Sequence, residues 1–296
     1  MQELNDAIAT LEDALGAREG EPVALSGGIT NRNFRVVLGG EPYVVRLHGA
    51  QTDLLGIDRE SERNANEKAA ALGIAPGVAA HGEGFLVTEY VMCSALEPAG
   101  VAAQAAEVAR ALRAFHGSDV TLRARFDVPR LLAQYAAVIG ERGGALPDSY
   151  AHARRVAARI AQALGDAPRR PCHNDLLAGN VIATDDGRVL IVDWEYAGMG
   201  HPYFDLGNVS VNNDFGVDAE ERLLNAYLER EPKPSERATL KLMRVLSDAR
   251  EAAWGVLQGL ISELEFDFDG YARNHFERMR RATEHAEFEE WLAAAA

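Results

Sequence analysis

The residues best suited to chemistry lie between His173 and Asp193, in the run HNDLLAGN, a short connection, and LIVDW. Asp175 carries a carboxylate that, at the tip of a loop, could accept the proton of a hydroxyl. Further on, Asn180 offers a neutral amide oxygen, and Asp193 offers an anionic oxygen at the end of an apolar run. Such oxygens suit Mg²⁺, which takes one or two carboxylates and fills its octahedron with water and phosphate oxygens. A proton acceptor beside two metal ligands is what in-line transfer of a phosphoryl group to a hydroxyl requires. A single loop Asp or Asn is more often a solvated or turn-forming residue; here the ordered set points to chemistry.

Local elements must bring these groups together. Val181–Thr184 and Val189–Val192 read as strands, and Asp186-Gly187 is the signature of a two-residue type I′ hairpin that would set Asn180 beside Asp193. Earlier, Ser26-Gly27-Gly28-Ile29-Thr30-Asn31 separates the β-like runs Val23–Leu25 and Phe34–Leu38. Freed of side chains, its glycines could turn backbone N–H groups toward phosphate oxygens, although a Gly-Gly pair also serves as a plain turn. Tyr43–Leu47 reads as the next strand and carries Arg46, a charged fork for phosphate. A helix is predicted from the N-cap Asp58 to Leu72, stopped by Gly73, and Phe85–Val91 reads as a strand.

In protein kinases the same layout holds a catalytic Asp, an Asn and a second Asp for Mg²⁺. With HND in place of HRD, followed by VDWEYAG and FDLGN, the chain resembles the choline and ethanolamine kinase branch of the aminoglycoside phosphotransferase superfamily. The similarity spans almost the whole length, and GGITNRNFRV resembles the family's phosphate loop. The resemblance implies an α+β, protein kinase-like two-lobed fold that uses ATP and Mg²⁺. It implies that Asp175 is the base, that Asn180 and Asp193 hold Mg²⁺, that Asp205 is buried against the catalytic loop, and that His173 braces that loop. By the same resemblance Ser26, Gly27, Gly28, Thr30 and Asn31 lie over the phosphates, and Arg46 pairs with a helix glutamate. Glu60, Glu62 and Glu67 qualify, and the family spacing favours Glu62. Backbone groups of Glu89 and Val91 would hold the adenine.

Helical periodicity at Leu4, Ile8, Leu11 and Leu15 predicts an opening helix, and strand-like text then runs to Val91. Ala-rich helical text follows: 98–116, 130–141, 147–164 and 234–263. A nucleotide-binding lobe over residues 1–94 and a catalytic and acceptor-binding lobe over 95–296 are therefore expected.

For the acceptor, Asp248–Tyr271 resembles the family region that cages an ammonium with aromatic rings, an attraction worth about 0.5–2 kcal/mol per ring. Trp254, Phe268 and Tyr271 fall on cage positions, whereas Glu251 replaces a family tryptophan and Asn212 an acidic residue. A carboxylate at Glu251 would favour a primary amine, which donates hydrogen bonds that a methyl-covered ammonium cannot. Trp254, Leu257 and Ile261 also have the spacing of a core helix face. Glu195 and Tyr196 would border the acceptor. Aminoglycosides, amino sugars, homoserine and thiamine stay open as other acceptors, since such folds keep the phosphoryl machinery and vary the pocket. A catalytically silent nucleotide-binding module is the alternative of another class; the intact Arg46, Asp175, Asn180 and Asp193 speak against it.

The net charge of −15 disfavours nucleic acid and anionic membranes as partners and suits a cationic small molecule. Two cysteines, Cys93 and Cys172, form no metal-binding pattern and are expected as reduced thiols. With no basic leader before an apolar core and no run of membrane-spanning length, a cytoplasmic location without membrane insertion is expected.

Overall fold

The computed structural model describes residues 2–25, 31–184 and 186–295. Its opening helix, α1 (Gln2–Leu15), buries Leu4, Ala7, Ile8 and Leu11 along one stripe. That stripe closes one face of an antiparallel sheet of β1 (Arg18–Leu25), β2 (Arg32–Leu38), β3 (Glu41–Leu47), β4 (Val78–Gly82) and β5 (Phe85–Glu89), ordered β1-β2-β3-β5-β4. Val36, Leu38, Val45, Leu47, Phe85 and Val87 complete this core, each large side chain contributing about 1.5–3 kcal/mol on full burial. Because side chains alternate along a strand, the neighbours Val45 and Leu47 in the core turn Arg46 to the opposite face, toward the cleft.

Between β3 and β4 runs α2 (Arg59–Ala71). Asp58 caps it by accepting the Ser61 N–H at 2.7 Å, and Gly73 just past its end has a φ of 73° that a side chain would disfavour. The strand after the sheet, β6 (Cys93–Ala95), pairs with the later strand Val181–Thr184 and spans the boundary expected after residue 94.

The larger lobe begins with α3 (Pro98–Ala103) and α4 (Ala105–His116), separated at Gln104 where one continuous helix was expected. Then come α5 (Val128–Glu141), α6 (Asp148–Leu164), β7 (Arg170–Cys172), β8 (Val181–Thr184), β9 (Val189–Ile191) and β10 (Gly198–Gly200). Strands β6, β8 and β9 form one small sheet; β7 and β10 form another. The β8–β9 connection departs from the expected type I′ turn. Gly187 has a φ of 82°, and Thr184 O accepts the Gly187 N–H as Thr184 N bonds Arg188 O. That is the longer hairpin connection closed by a left-handed glycine.

Four helices complete the lobe beyond those expected or around them: α7 (Pro202–Asn212), α8 (Val217–Leu228), α10 (Phe268–Glu284) and α11 (Glu287–Ala295), with α9 (Pro234–Ile261) between the pairs. Every residue from Phe204 to Val211 is buried, so α7 has no polar face and no amphipathic signature. With 28 residues, α9 is about 42 Å long and packs against α5, α6, α7, α10 and α11. From Val245 to Gly255 it is buried on all sides, and this stretch holds three charged residues, Asp248, Arg250 and Glu251. Among the described residues no helix is long and apolar enough to cross a membrane.

Candidate active site

The loop that follows β7 is fixed by captured backbone N–H groups. Asp205, buried on α7, accepts the His173 N–H with Oδ2 at 2.8 Å and the Asn174 N–H with Oδ1 at 2.7 Å. Asn208, one turn on, accepts the Leu176 N–H, and Asn213 donates to Leu176 O at 3.1 Å. His173 accepts the Asp175 N–H at Nδ1 and donates from Nε2 to Val192 O at 3.0 Å, which assigns the neutral imidazole its proton. Burial keeps that imidazole below its usual pKa. Asn174 supplies the bend, with a φ of 70° and its side-chain amide donating to Tyr196 O at 3.0 Å. Asp205 is steadied in turn by His116 Nε2 at 2.9 Å, whose Nδ1 meets Tyr227 OH at 2.9 Å. His116, Cys172 and Asp205 stand close enough to be donors to one ion, but these bonds, and that of the Cys172 thiol to Arg170 O, already spend them on the loop.

Asp175 emerges from this loop 8% exposed. Burial pushes its carboxyl up to about 8, with Arg250 pulling the other way and Glu251, Asp193 and Glu195 adding to the rise. Asn180 donates to Asp175 O at 2.8 Å and reaches Asp175 Oδ2 at 3.5 Å. Both partners are acceptors, so the amide nitrogen faces them and the amide oxygen is left for another ligand. Asp193, left-handed at φ 66°, has a buried Oδ1 that makes no hydrogen bond among the described residues and stands in an ion pair with Arg46. An unspent amide oxygen beside an aspartate carboxylate is what Mg²⁺ coordinates, and the pair fits that ion.

Across the cleft, Arg46 Nη1 lies 2.8 Å from Glu62 Oε1 and 3.0 Å from Asp193 Oδ1. Of the three helix glutamates only Glu62 is placed there; Glu60 pairs with Arg123, and Glu67 lies 3.8 Å from Arg63. Burial opposes the charge on Glu62, yet Arg46 and Arg59 outweigh it and hold the carboxyl below its usual range. A cleft of about 390 Å³ opens beside this cluster. Leu25, Val44 and Leu86 line it from the sheet and Ile182 and Val192 from the larger lobe, with Arg46, Asn180 and Asp193 also on its wall. Such apolar slabs fit the faces of a planar base. Glu89 and Val91 border it too; the Glu89 N–H is spent on Gly77 O at 2.8 Å.

Several expected positions turn out otherwise. Ser26, Gly27, Gly28 and Thr30 lie outside the described residues. Asn31 spends its amide on Glu195 Oε2 at 2.8 Å and on the Gly49 N–H at 3.2 Å. Glu195, expected at the acceptor, instead sits 3% exposed against Asn31 and Arg59, on the Arg46 side of the cleft. Burial and the neighbouring Asp193 push its carboxyl up to about 7.

The acceptor candidates do come together, packed on one another. Trp254 meets Phe268 at 5.9 Å and Tyr271 at 5.6 Å between ring centroids, both edge-on, and its indole N–H donates to Tyr196 OH at 2.8 Å. Glu251, expected to await an amine, is already occupied: Oε2 accepts Tyr271 OH at 2.8 Å and Oε1 accepts Arg250 Nη1 at 2.9 Å. Arg250 gives no sequence signal for the site because its partner there, Asp175, lies 75 residues away in the chain. In space its Nη1 lies 3.1 Å from Asp175 Oδ1, and its Cζ stands 4.2 Å from the centroid of the Tyr196 ring. Asn208, Asn213 and His116 were missed as well; Asn208 lies within the quoted FDLGN run, which was its only signal.

Comparison with known proteins agrees with this geometry. The profile of the Phosphotransferase enzyme family, APH, matches residues 22–242. The crystal structure of a choline/ethanolamine kinase family protein from Mesorhizobium loti superimposes with a TM-score of 0.84 and 31% identity, covering 99% of this chain and 98% of that one. Protein LicA of Haemophilus influenzae is 27% identical over 72% of this chain and 64% of its own length. Ethanolamine kinase 2 of Mus musculus is 28% identical over 77% of this chain and 66% of its own. The chain thus spans about two thirds of the length of these two curated relatives. It belongs to the choline/ethanolamine kinase family of the APH phosphotransferases.

Proposed function

We propose that this chain is an ATP- and Mg²⁺-dependent kinase that moves the γ-phosphate of ATP to the hydroxyl of a small amino alcohol such as choline or ethanolamine. The observation that carries the reading is the convergence of Asp175, Asn180 and Asp193, from a loop and two strand ends, opposite the cation of Arg46. The acceptor oxygen forms its bond to the γ-phosphorus as the bond to the β-phosphate bridge breaks, the hydroxyl proton passes to Asp175, and ADP leaves. Asn180 and Asp193 would hold Mg²⁺, which when bound neutralises charge on the phosphates. Arg46, oriented by Glu62, reaches a phosphate oxygen, and the carbonyl of Glu89 and the N–H of Val91 take the adenine edge. The curated relatives named for ethanolamine kinase activity and the family membership support this acceptor class.

The test is Mg²⁺-dependent ADP release with choline, ethanolamine, aminoglycosides, hexosamines, homoserine and thiamine. Turnover confined to the amino alcohols is expected. Turnover with another class alone would replace the acceptor assignment.

A further inference from the structure

The aromatic cluster beside Asp175 already contains a cation. Arg250 is 1% exposed, its guanidinium carbon lies 4.2 Å from the Tyr196 ring centroid and 6.0 Å from that of Phe126, and its Nη1 bridges Asp175 Oδ1 and Glu251 Oε1. These are the ring faces and carboxylates that would otherwise attract a substrate ammonium. We propose that Arg250 sets acceptor specificity by standing among these rings and carboxylates as the protein's own cation, shutting out quaternary ammonium head groups and admitting primary amino alcohols. The proposal rests on the reading of the chain as an amino-alcohol kinase and narrows its substrate.

Three features carry it. A guanidinium keeps its charge at any working pH, so a second fixed cation on the Tyr196 face meets a like charge in a site with little water to screen it. The remaining rings are already engaged: Trp254 meets Phe268 and Tyr271 edge to face, and Tyr271 OH is tied to Glu251. The donors of Arg250 are only partly used, since Nε and Nη2 are buried without a partner among the described residues. They reward an acceptor oxygen close to Asp175 and have nothing to offer a methyl-covered nitrogen. A primary ammonium is smaller and donates three hydrogen bonds, so it can share the oxygens of Asp175 and Glu251 with Arg250.

The test uses the whole chain with Mg²⁺ and ATP and the series ethanolamine, its N-methyl and N,N-dimethyl derivatives, and choline. The specificity constant kcat/KM is expected to fall with each methyl, by at least about tenfold over the series, the size of one methyl-scale discrimination in a fitted pocket. A flat or rising series overturns the proposal. Arg250→Leu should recover choline relative to ethanolamine, whereas Arg250→Lys, which keeps a cation, should not. A folded Arg250→Leu variant with the wild-type ratio also overturns it. Calorimetric titration with tetramethylammonium separates this idea from the kinase reading, because that ion has no hydroxyl to phosphorylate. Binding to Arg250→Leu but not to wild type supports the proposal, even if no member of the series is turned over and the acceptor assignment fails. Binding to wild type defeats the proposal even if ethanolamine is a good substrate.

Discussion

Arg46 Nη1 and Asp193 Oδ1 lie 3.0 Å apart, joining strand β3 of the small lobe to a carboxylate of the large one. The contact spans the cleft beside Asn180, and in the proposed reading its cation stands where phosphates would enter. Glu62, 1% exposed, holds Arg46 from the other side. Replacing Arg46 by Met should therefore lower kcat/KM for ATP by about 10²-fold, the loss of one charge-assisted phosphate contact of about 2–3 kcal/mol. Arg46→Lys should fall between, since an ammonium cannot bridge Glu62 and a phosphate as a fork does. Steady-state kinetics with varied ATP measures both.

Asp193 is proposed to supply the anionic half of the metal pair. Asp193→Ala should abolish the Mg²⁺ dependence of ATP binding, seen by calorimetry with and without the ion. If Mg²⁺ strengthens ATP binding in the variant as in the wild type, Asp193 is not a ligand.

Asp205 gathers two loop N–H groups and the ring of His116 in a fully buried position. In Asp205→Asn one of its oxygens becomes an NH₂ group and a buried donor loses its acceptor. A loss of about 1–3 kcal/mol of stability is expected from chemical denaturation, with lower activity. Unchanged stability would mean the loop does not depend on this carboxylate.

His201 caps α7, the helix that carries Asp205 and Asn208, by accepting the Tyr203 N–H at Nδ1, 3.2 Å away. Burial, helped by His116 and Arg169, lowers its pKa to about 4. In the unfolded chain it titrates near 6.5, so over this range the unfolded state binds the extra proton. Stability should be fully retained above pH 6.5 and decline as the pH falls from 6.5 toward 4. His201→Asn keeps a capping acceptor without a titrating ring and should flatten that part of the profile. Urea midpoints at pH 7 and 4.5 for both proteins decide it.

Where signals were local, the sequence could be read. The cap at Asp58, the stop at Gly73 and the stripe of Leu4, Ile8 and Leu11 each depend on neighbours within a few residues, and each stands as expected. The set His173, Asp175, Asn180 and Asp193 was legible because one loop and one hairpin span it. Helix α7 was not, because burial on all sides removes the periodicity that marks a helix. Arg250 and Asp175 are 75 residues apart in the chain, and only the crossing of α9 behind the loop makes them partners. Glu195 was assigned to the acceptor from its place after Asp193, but the turn Trp194–Tyr196 sends Tyr196 toward Arg250 and Glu195 toward Arg59.

Turnover of the Asp175→Asn variant tests the central claim most directly, since the change keeps the shape and removes the proton acceptor. With ethanolamine, Mg²⁺ and saturating ATP, kcat should fall by about 10²- to 10⁴-fold while ATP affinity is unchanged. A kcat close to that of the wild type would contradict the assignment of Asp175 as the base.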